Sequence, residues 1–196
     1  MPQLTLSKGN KKLGAIPNHS QNNVTTCPGK SSWCEANCYV DNYKKRFGLE
    51  AKYLDNGAIG LTPEFVPLMV KVVGRSTAYR IHVSGDFDSI PYVKSWIEII
   101  KACGRTNFFA YSRSWRVAEL FPYLEQLRAL PNMQLFASTD HTIEEDTPSG
   151  WRVAFMEEDS RATGYPCPEQ SGRKKNCLEC SYCFLGQRGN VIFSAH

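Results

Sequence analysis

The sequence predicts an α/β protein: a reduced or partial (β/α) barrel-like parallel sheet with a cysteine-rich, metal-organised C-terminal tail. Three observations predict it. Short apolar strands alternate with amphipathic helices, polar residues follow successive strands, and the alternation stops near Gly164, beyond which four cysteines cluster. Such alternation is typical of parallel sheets with right-handed helical crossovers. We therefore divide the chain into a partial barrel over residues 1–163 and a metal-binding appendage over residues 164–196.

The elements follow from local patterns of apolar residues. Runs of four to six apolar and β-branched residues predict strands at residues 79–84, 107–111, 133–137 and 151–155, with a weaker candidate at 12–16. Apolar residues spaced by three and four predict helices at residues 39–54, 63–73, 91–102 and 115–129. Thr62 is the expected N-cap of the second helix, and Gly74 its stop signal.

The composition limits the function classes. A chain of 196 residues with 42% hydrophobic residues suits one domain with a real core. No apolar run reaches the roughly 20 residues of a membrane span, and the N-terminus lacks the apolar segment of a secretory signal, so we expect a cytoplasmic protein without membrane contact. The net charge of +4 is mild, and solvated lysines on loops explain the small basic clusters at residues 8–12, 44–46 and 173–175 better than a nucleic-acid footprint does.

Cysteine is the informative residue type, with eight in the chain. Clustered spacing and the missing signal peptide favour metal ligands over disulfides. The tail cysteine group is Cys167, Cys177, Cys180 and Cys183. Its Cys-x2-Cys-x2-Cys core is similar to the run that wraps a cubane cluster in bacterial ferredoxins, which favours [4Fe-4S] there. Structural zinc is the alternative.

The N-terminal cysteine group has three members, Cys27, Cys34 and Cys38. Three thiolates on one loop suit a second [4Fe-4S] cluster with one iron open to a ligand. A zinc site completed by His19 is the rival, although His19 follows no zinc-finger spacing. The eighth cysteine, Cys103, is expected to be a small core residue.

Polar triplets follow three of the predicted strands. They are Ser84-Gly85-Asp86, Ser112-Arg113-Ser114 and Ser138-Thr139-Asp140. Ligands of parallel α/β sheets bind at the carboxyl ends of the strands, so we expect one active face built from these loops. Helix N-capping could explain some of the hydroxyl residues. For Asp86, Arg113 and Asp140 together we favour ligand binding.

Several motifs resemble a phage-encoded family named for gene product 88. They are Leu13-Gly14-x-Ile16-Pro17, Cys27-Pro28-Gly29 with Cys34 and Cys38-Tyr39, His82-x-Ser84-Gly85-Asp86-Phe87 and Tyr111-x-Arg113-Ser114-Trp115. The resemblance runs from about Leu4 into the tail. It implies a phage protein acting in the host cell and no stated activity.

More distantly, the layout is similar to radical S-adenosylmethionine (radical SAM) enzymes, which carry three cysteines early in a partial barrel. That resemblance implies S-adenosylmethionine as cofactor. It implies contacts of Ser84, Gly85 and Asp86 with the amino group, packing of Tyr39 on adenine, and a bond from Arg113 to the carboxylate. The usual spacing, Cys-x3-Cys-x2-Cys, differs from the Cys-x6-Cys-x3-Cys found here.

Three functional hypotheses follow. The leading one is a minimal radical SAM-like enzyme with two clusters and an electron donor, in which Asp86 and Arg113 are catalytic, Asp140 helps to bind the cofactor, and the substrate is a nucleotide, nucleic acid or peptide. The second is a non-catalytic iron–sulfur or zinc accessory protein that binds nucleic acid or a host protein through basic loops and the aromatic residues Tyr43, Phe47, Tyr53 and Trp115. The third is simple electron transfer between the clusters.

Overall fold

The computed structural model describes residues 3–186 and 189–195, and an all-parallel six-stranded sheet runs through it. Residues 1–2 of the predicted partial barrel, and residues 187–188 and 196 of the predicted appendage, lie outside the described residues. The strand order is β1-β2-β3-β4-β6-β5, and the sheet curls into an open half-barrel. The strands are β1 (Ala78–Arg80), β2 (Asn107–Ser112), β3 (Met133–Thr139), β4 (Arg152–Met156), β5 (Tyr165–Pro166) and β6 (Val191–Phe193). The predicted α/β class and parallel sheet are confirmed.

Helices cover the convex face of the sheet. Alternate side chains of a strand point to opposite faces, so Phe108 and Ala110 join the core beneath the helices, while Phe109 and Tyr111 face the concave side. The helices are α1 (Ser32–Ala36), α2 (Tyr39–Phe47), α3 (Glu50–Gly60), α4 (Phe65–Val73), α5 (Ile90–Ala102), α6 (Phe121–Arg128) and α7 (Cys177–Cys180). None of these helices has the length and apolar character needed to span a membrane.

Two predicted helices are interrupted, each for a local reason. The helix expected over residues 39–54 ends at Gly48, which adopts the left-handed conformation with φ of 59°, and α3 then begins at Glu50. The helix expected over residues 115–129 is a short 3-10 turn followed by α6. Pro122 occupies the first turn of α6, since a proline further inside a helix would clash with the preceding turn.

Strand β1 is shorter than predicted because the backbone turns at His82. His82 has a φ of 58°, which no strand residue can adopt, and the turn carries residues 84–86 toward the concave side. The weak strand expected at 12–16 is instead a tight turn. The following segment runs parallel to β1 at its free edge, with Arg80 N donating to Pro17 O at 3.1 Å and His19 N to Arg80 O at 3.4 Å.

The cysteine-rich tail contributes two strands that the sequence analysis missed. Strand β6 lies between β4 and β5, and Cys167 N donates to Ile192 O at 2.9 Å. Within the tail, Phe184 packs on Phe109 with ring centroids 5.6 Å apart. Together the tail and the N-terminal segment cover part of the concave face.

Candidate functional site: a cavity lined by seven cysteines

All seven cysteines predicted as ligands line one cavity of about 890 Å³ on the concave side of the sheet. The N-terminal group comes from the loop before α1, from α1 itself and from the start of α2, and the tail group comes from the segment between β5 and β6. Cys103 does not line it and packs in the core beneath the helices, as expected. No cysteine forms a disulfide within the described ranges. Two groups that are more than 120 residues apart in sequence therefore share one space.

Asp140 holds the N-terminal cysteine loop to the end of β3. Its Oδ2 accepts a hydrogen bond from the Ser31 hydroxyl at 2.6 Å and one from Arg113 Nη2 at 2.9 Å. The Ser31 hydroxyl oxygen in turn caps α1 by accepting from the backbone N of Cys34 at 3.0 Å. Asp140 is fully buried and does not line the cavity, so it contributes to the site through Ser31 and Arg113.

Asp86 joins the ends of β1 and β2. Its carboxylate accepts hydrogen bonds from the backbone N of Arg113 and Ser114, at 2.7 and 3.2 Å, and from the Ser112 hydroxyl and the backbone N of Phe87, both at 2.7 Å. A carboxylate has about four acceptor sites, so these four bonds fill them. Burial raises the pKa of Asp86, and the hydrogen bonds oppose that rise. Direct contact with a cofactor ammonium would require Asp86 to give up one of these bonds.

Two glycines let the cysteine loop approach the strand ends closely. A Cβ on Gly29, two residues after Cys27, would lie 2.0 Å from the backbone O of Arg113. A Cβ on Gly85 would lie 2.7 Å from Thr26 Oγ1, and its φ of +83° also disfavours other residues. Gly85 thus permits contact with the cysteine loop itself, which the sequence analysis had read as a contact with cofactor.

The remaining predicted site residues line the cavity. The Tyr39 hydroxyl donates to Val83 O at 2.7 Å, which fixes the residue after Cys38 to the turn that follows β1. The Ser84 hydroxyl donates to Gln21 O at 2.8 Å. Arg113 is mostly buried, and its Nε has no hydrogen-bond partner in the described part of the chain. Arg113 therefore lines the cavity and keeps one buried, unsatisfied donor.

The thiols of the N-terminal group lie in a poorly solvated and mutually repelling arrangement. Burial raises the pKa of Cys27, and the neighbouring charges of Asp86, Cys34 and Cys38 raise it further. Burial also raises the pKa of Cys34, and Arg113 opposes that rise. Three thiolates here need a compensating positive charge, which a bound metal group would provide.

Two arginines that the sequence analysis missed lie beside the tail group. Burial raises the pKa of Cys177 to about 12, and Arg80 opposes the rise. Burial raises the pKa of Cys183 to about 11, opposed by a hydrogen bond from Tyr111 and by the charge of Arg152. Arg80 lies 4.2 Å above the Tyr111 ring. The sequence signal for these two arginines was a charged residue within an otherwise apolar strand, because an inward-facing arginine needs an anionic neighbour.

The described side chains do not form a preassembled site for a single metal ion. Sulfur ligands of tetrahedral zinc lie within about 3.8 Å of one another, given bonds of about 2.3 Å. No group of three or more His, Cys, Asp or Glu side chains is arranged to hold a metal ion in the described ranges, so the predicted metal organisation of the tail is not seen. His19 is buried against Phe65 and Trp96, outside this cavity.

We predict that Asp140→Asn lowers the free energy of unfolding by about 3 kcal/mol at pH 7, because Arg113 loses its buried ionic partner. The pKa of Asp140 is lowered: burial tends to raise it, but hydrogen bonds from Ser31 and Thr142 and the charge of Arg113 prevail. A lowered folded pKa gives stability that is present above the unfolded pKa of about 3.9 and lost as the pH falls through the folded pKa. Urea titrations at pH 7 and pH 3 should show that the wild-type protein and Asp140→Asn differ less in free energy of unfolding at pH 3. An equal difference at both pH values would contradict the stabilising role of the ionised Asp140 carboxylate.

Similarity to known proteins covers nearly the whole chain. A family model described as "Gene product 88" matches residues 3–189. The Gene 88 protein of Mycobacterium phage L5 is 29% identical over 202 residues, covering 86% of this chain and 82% of that protein. The Gene 88 protein of Mycobacterium phage D29 is 25% identical over 201 residues, with coverage of 86% and 82%. No solved structure matches. These similarities support the resemblance to the gene product 88 family. They give no support to the resemblance to radical SAM enzymes.

Proposed function

The chain belongs to the gene product 88 family of phage proteins, and we propose that it is an iron–sulfur enzyme of radical SAM-like type. In this proposal Cys27, Cys34 and Cys38 hold a [4Fe-4S] cluster with one open iron. The tail group holds a second [4Fe-4S] cluster. S-adenosylmethionine binds at the open iron, and a separate electron donor reduces the site.

The observation that carries the proposal is the shared cavity. Seven cysteines, and all the predicted cofactor-contacting residues except Asp140, line one space at the carboxyl ends of the strands. A purely structural metal site would need four ligands and no large cavity beside it. A cavity of about 890 Å³ leaves room for a small molecule next to the thiols.

The chain's own residues supply positioning and charge. Arg113 is a cation that lines the cavity, which suits it to bind the carboxylate of an amino acid. Asp86 and Asp140 hold the cysteine loop and the Arg113 backbone and side chain in place. Arg80 and Arg152 offset negative charge at the tail group. The chemistry that the bound groups supply is one-electron cleavage of a sulfonium bond followed by removal of a hydrogen atom from a substrate.

The structure gives less support to an accessory protein without catalysis. Tyr53 and Trp115, two of its four proposed contact aromatics, are buried. Lys44 is buried as well and pairs with Glu50 at 2.8 Å and Asp41 at 3.4 Å. Simple electron transfer would use the thiols but leaves Arg113 and the open part of the cavity without a role.

Metal and sulfide analysis of protein purified without oxygen tests the proposal. We expect about eight irons and eight sulfides per chain, as two four-iron clusters require. Adding S-adenosylmethionine to the reduced protein should change its electron paramagnetic resonance spectrum, because the cofactor would bind the open iron. Zinc without sulfide would refute the cluster assignment. Two clusters whose spectrum ignores the cofactor would refute the radical SAM assignment alone.

A further inference from the structure

The positive charge of the chain is concentrated in its first segment. Residues 1–60 contain eight of the 23 Lys and Arg residues but four of the 19 Asp and Glu residues, which accounts for the whole net charge of +4. Five of the eight cations are exposed and form no ion pair within the described ranges. They are Lys8, Lys11, Lys45, Arg46 and Lys52. This part of the surface is therefore available to an anionic partner.

Helix α2 presents an aromatic pair on the same surface. Tyr43 and Phe47 are separated by one helical turn, their ring centroids lie 4.7 Å apart, and they are 40% and 53% exposed. The guanidinium carbon of Arg46 lies 5.4 Å from the Phe47 ring centroid. Buried Lys44, the residue after Tyr43, engages the nearby carboxylates Asp41 and Glu50, which removes much of their repulsion for an anion.

A groove connects this pair to the cysteine-lined cavity. The groove has a volume of about 380 Å³ and is lined by Tyr43, Phe47 and Lys52, among others. It shares three lining residues, Asn10, Tyr43 and Val83, with the large cavity. An extended molecule can therefore occupy both spaces, with one unit on the aromatic pair and the next beside the thiols.

We propose that this surface binds single-stranded nucleic acid: one base stacks on Tyr43 and Phe47, Arg46 and Lys52 contact the phosphates, and the adjoining nucleotide reaches the cavity. Basic residues with interleaved exposed aromatics are the combination that such strands require, because every base has a stacking face and every linkage a charge. A nucleic-acid strand is then the substrate class of the reaction proposed above. That last step rests on the proposed function, whereas the binding itself does not.

Fluorescence anisotropy with labelled DNA and RNA strands of about twelve nucleotides tests binding to the metal-loaded full chain. We expect Phe47→Ala to weaken binding about tenfold through lost stacking. Replacing Arg46 and Lys52 together with Ala should reduce the slope of log Kd against log salt concentration by about 1.4, as two lost phosphate contacts predict. The matched control replaces Lys71 and Arg105 with Ala, since both are exposed and lie outside the basic segment. It should leave both affinity and slope unchanged.

Three outcomes would overturn the inference: no binding at low salt, equal effects of the control pair, or equal affinity for duplex DNA or an acidic polypeptide. Iron and sulfide content, measured on the same samples, separates this inference from the proposed function. Strand binding by a protein without clusters would refute the proposed enzyme function and support the nucleic-acid-binding surface. Intact clusters without strand binding would refute the nucleic-acid-binding surface and leave the proposed enzyme function standing.

Discussion

Replacing Cys27, Cys34 and Cys38 together with Ser is expected to halve the iron and sulfide content, from about eight of each to about four, and to abolish the spectral response to S-adenosylmethionine. The tail group has its own four thiols on a separate segment of the chain, so its cluster should remain. Metal analysis and electron paramagnetic resonance of the reduced variant measure both effects.

Cys103→Ala is the matched control for the cysteine replacements. Cys103 is a buried thiol of the same chain that packs beneath the helices and does not line the cavity, so both clusters and the cofactor response should survive. If the control loses as much iron as the triple variant, the loss reflects general misfolding. If the triple variant keeps all its iron, the N-terminal group is not a cluster site.

Asp86→Asn is expected to lower the free energy of unfolding by about 2 kcal/mol or more. In either orientation of the new amide, its NH2 group faces at least one backbone N–H that the carboxylate now satisfies, and a buried donor without an acceptor costs about 1–3 kcal/mol. The cysteine loop is also tied to this point, because Asp86 N donates to Thr26 O at 2.9 Å. The variant should therefore lose iron from the N-terminal group as well as stability.

Asp88→Asn is a suitable control for this change. Asp88 lies two residues further on, is only half-buried, and its carboxylate accepts one side-chain hydrogen bond, from Ser89 at 3.1 Å. We expect the free energy of unfolding of this variant, measured by urea titration, to fall by less than a quarter of the loss at Asp86, roughly 0.5 kcal/mol. Equal shifts for the two variants would show that the four bonds to Asp86 contribute little.

The sheet was predictable from sequence, and the tail strands were not. The buried run at β2 and the apolar spacing of α5 are local patterns, and both elements occur within one or two residues of their predicted bounds. Strands β5 and β6 have two and three residues, too few to show a pattern. Their place in the sheet depends on long-range pairing, of β6 with β4 and of β5 with β6, which no local pattern encodes.

The candidate site was predictable in its members but not in their roles. Cysteine spacing and strand-end polar residues led to the residues that surround the cavity. Whether Asp86 faces a ligand or the backbone depends on how closely the loops approach, and that is set by Gly29 and Gly85 through tertiary contacts. Arg80 was missed because its partners lie in the distant tail.

The position of β6 links the cysteine tail to the solubility of the protein. The tail cysteines lie between β5 and β6, so the same segment that carries the thiols also delivers the strand that covers β4. A chain whose tail has not ordered would leave the apolar edge Val153, Ala154 and Phe155 open. Uncovered strand edges recruit other chains and lead to aggregation. Conditions that prevent the tail from ordering should therefore reduce the yield of soluble protein as well as its iron and sulfide content.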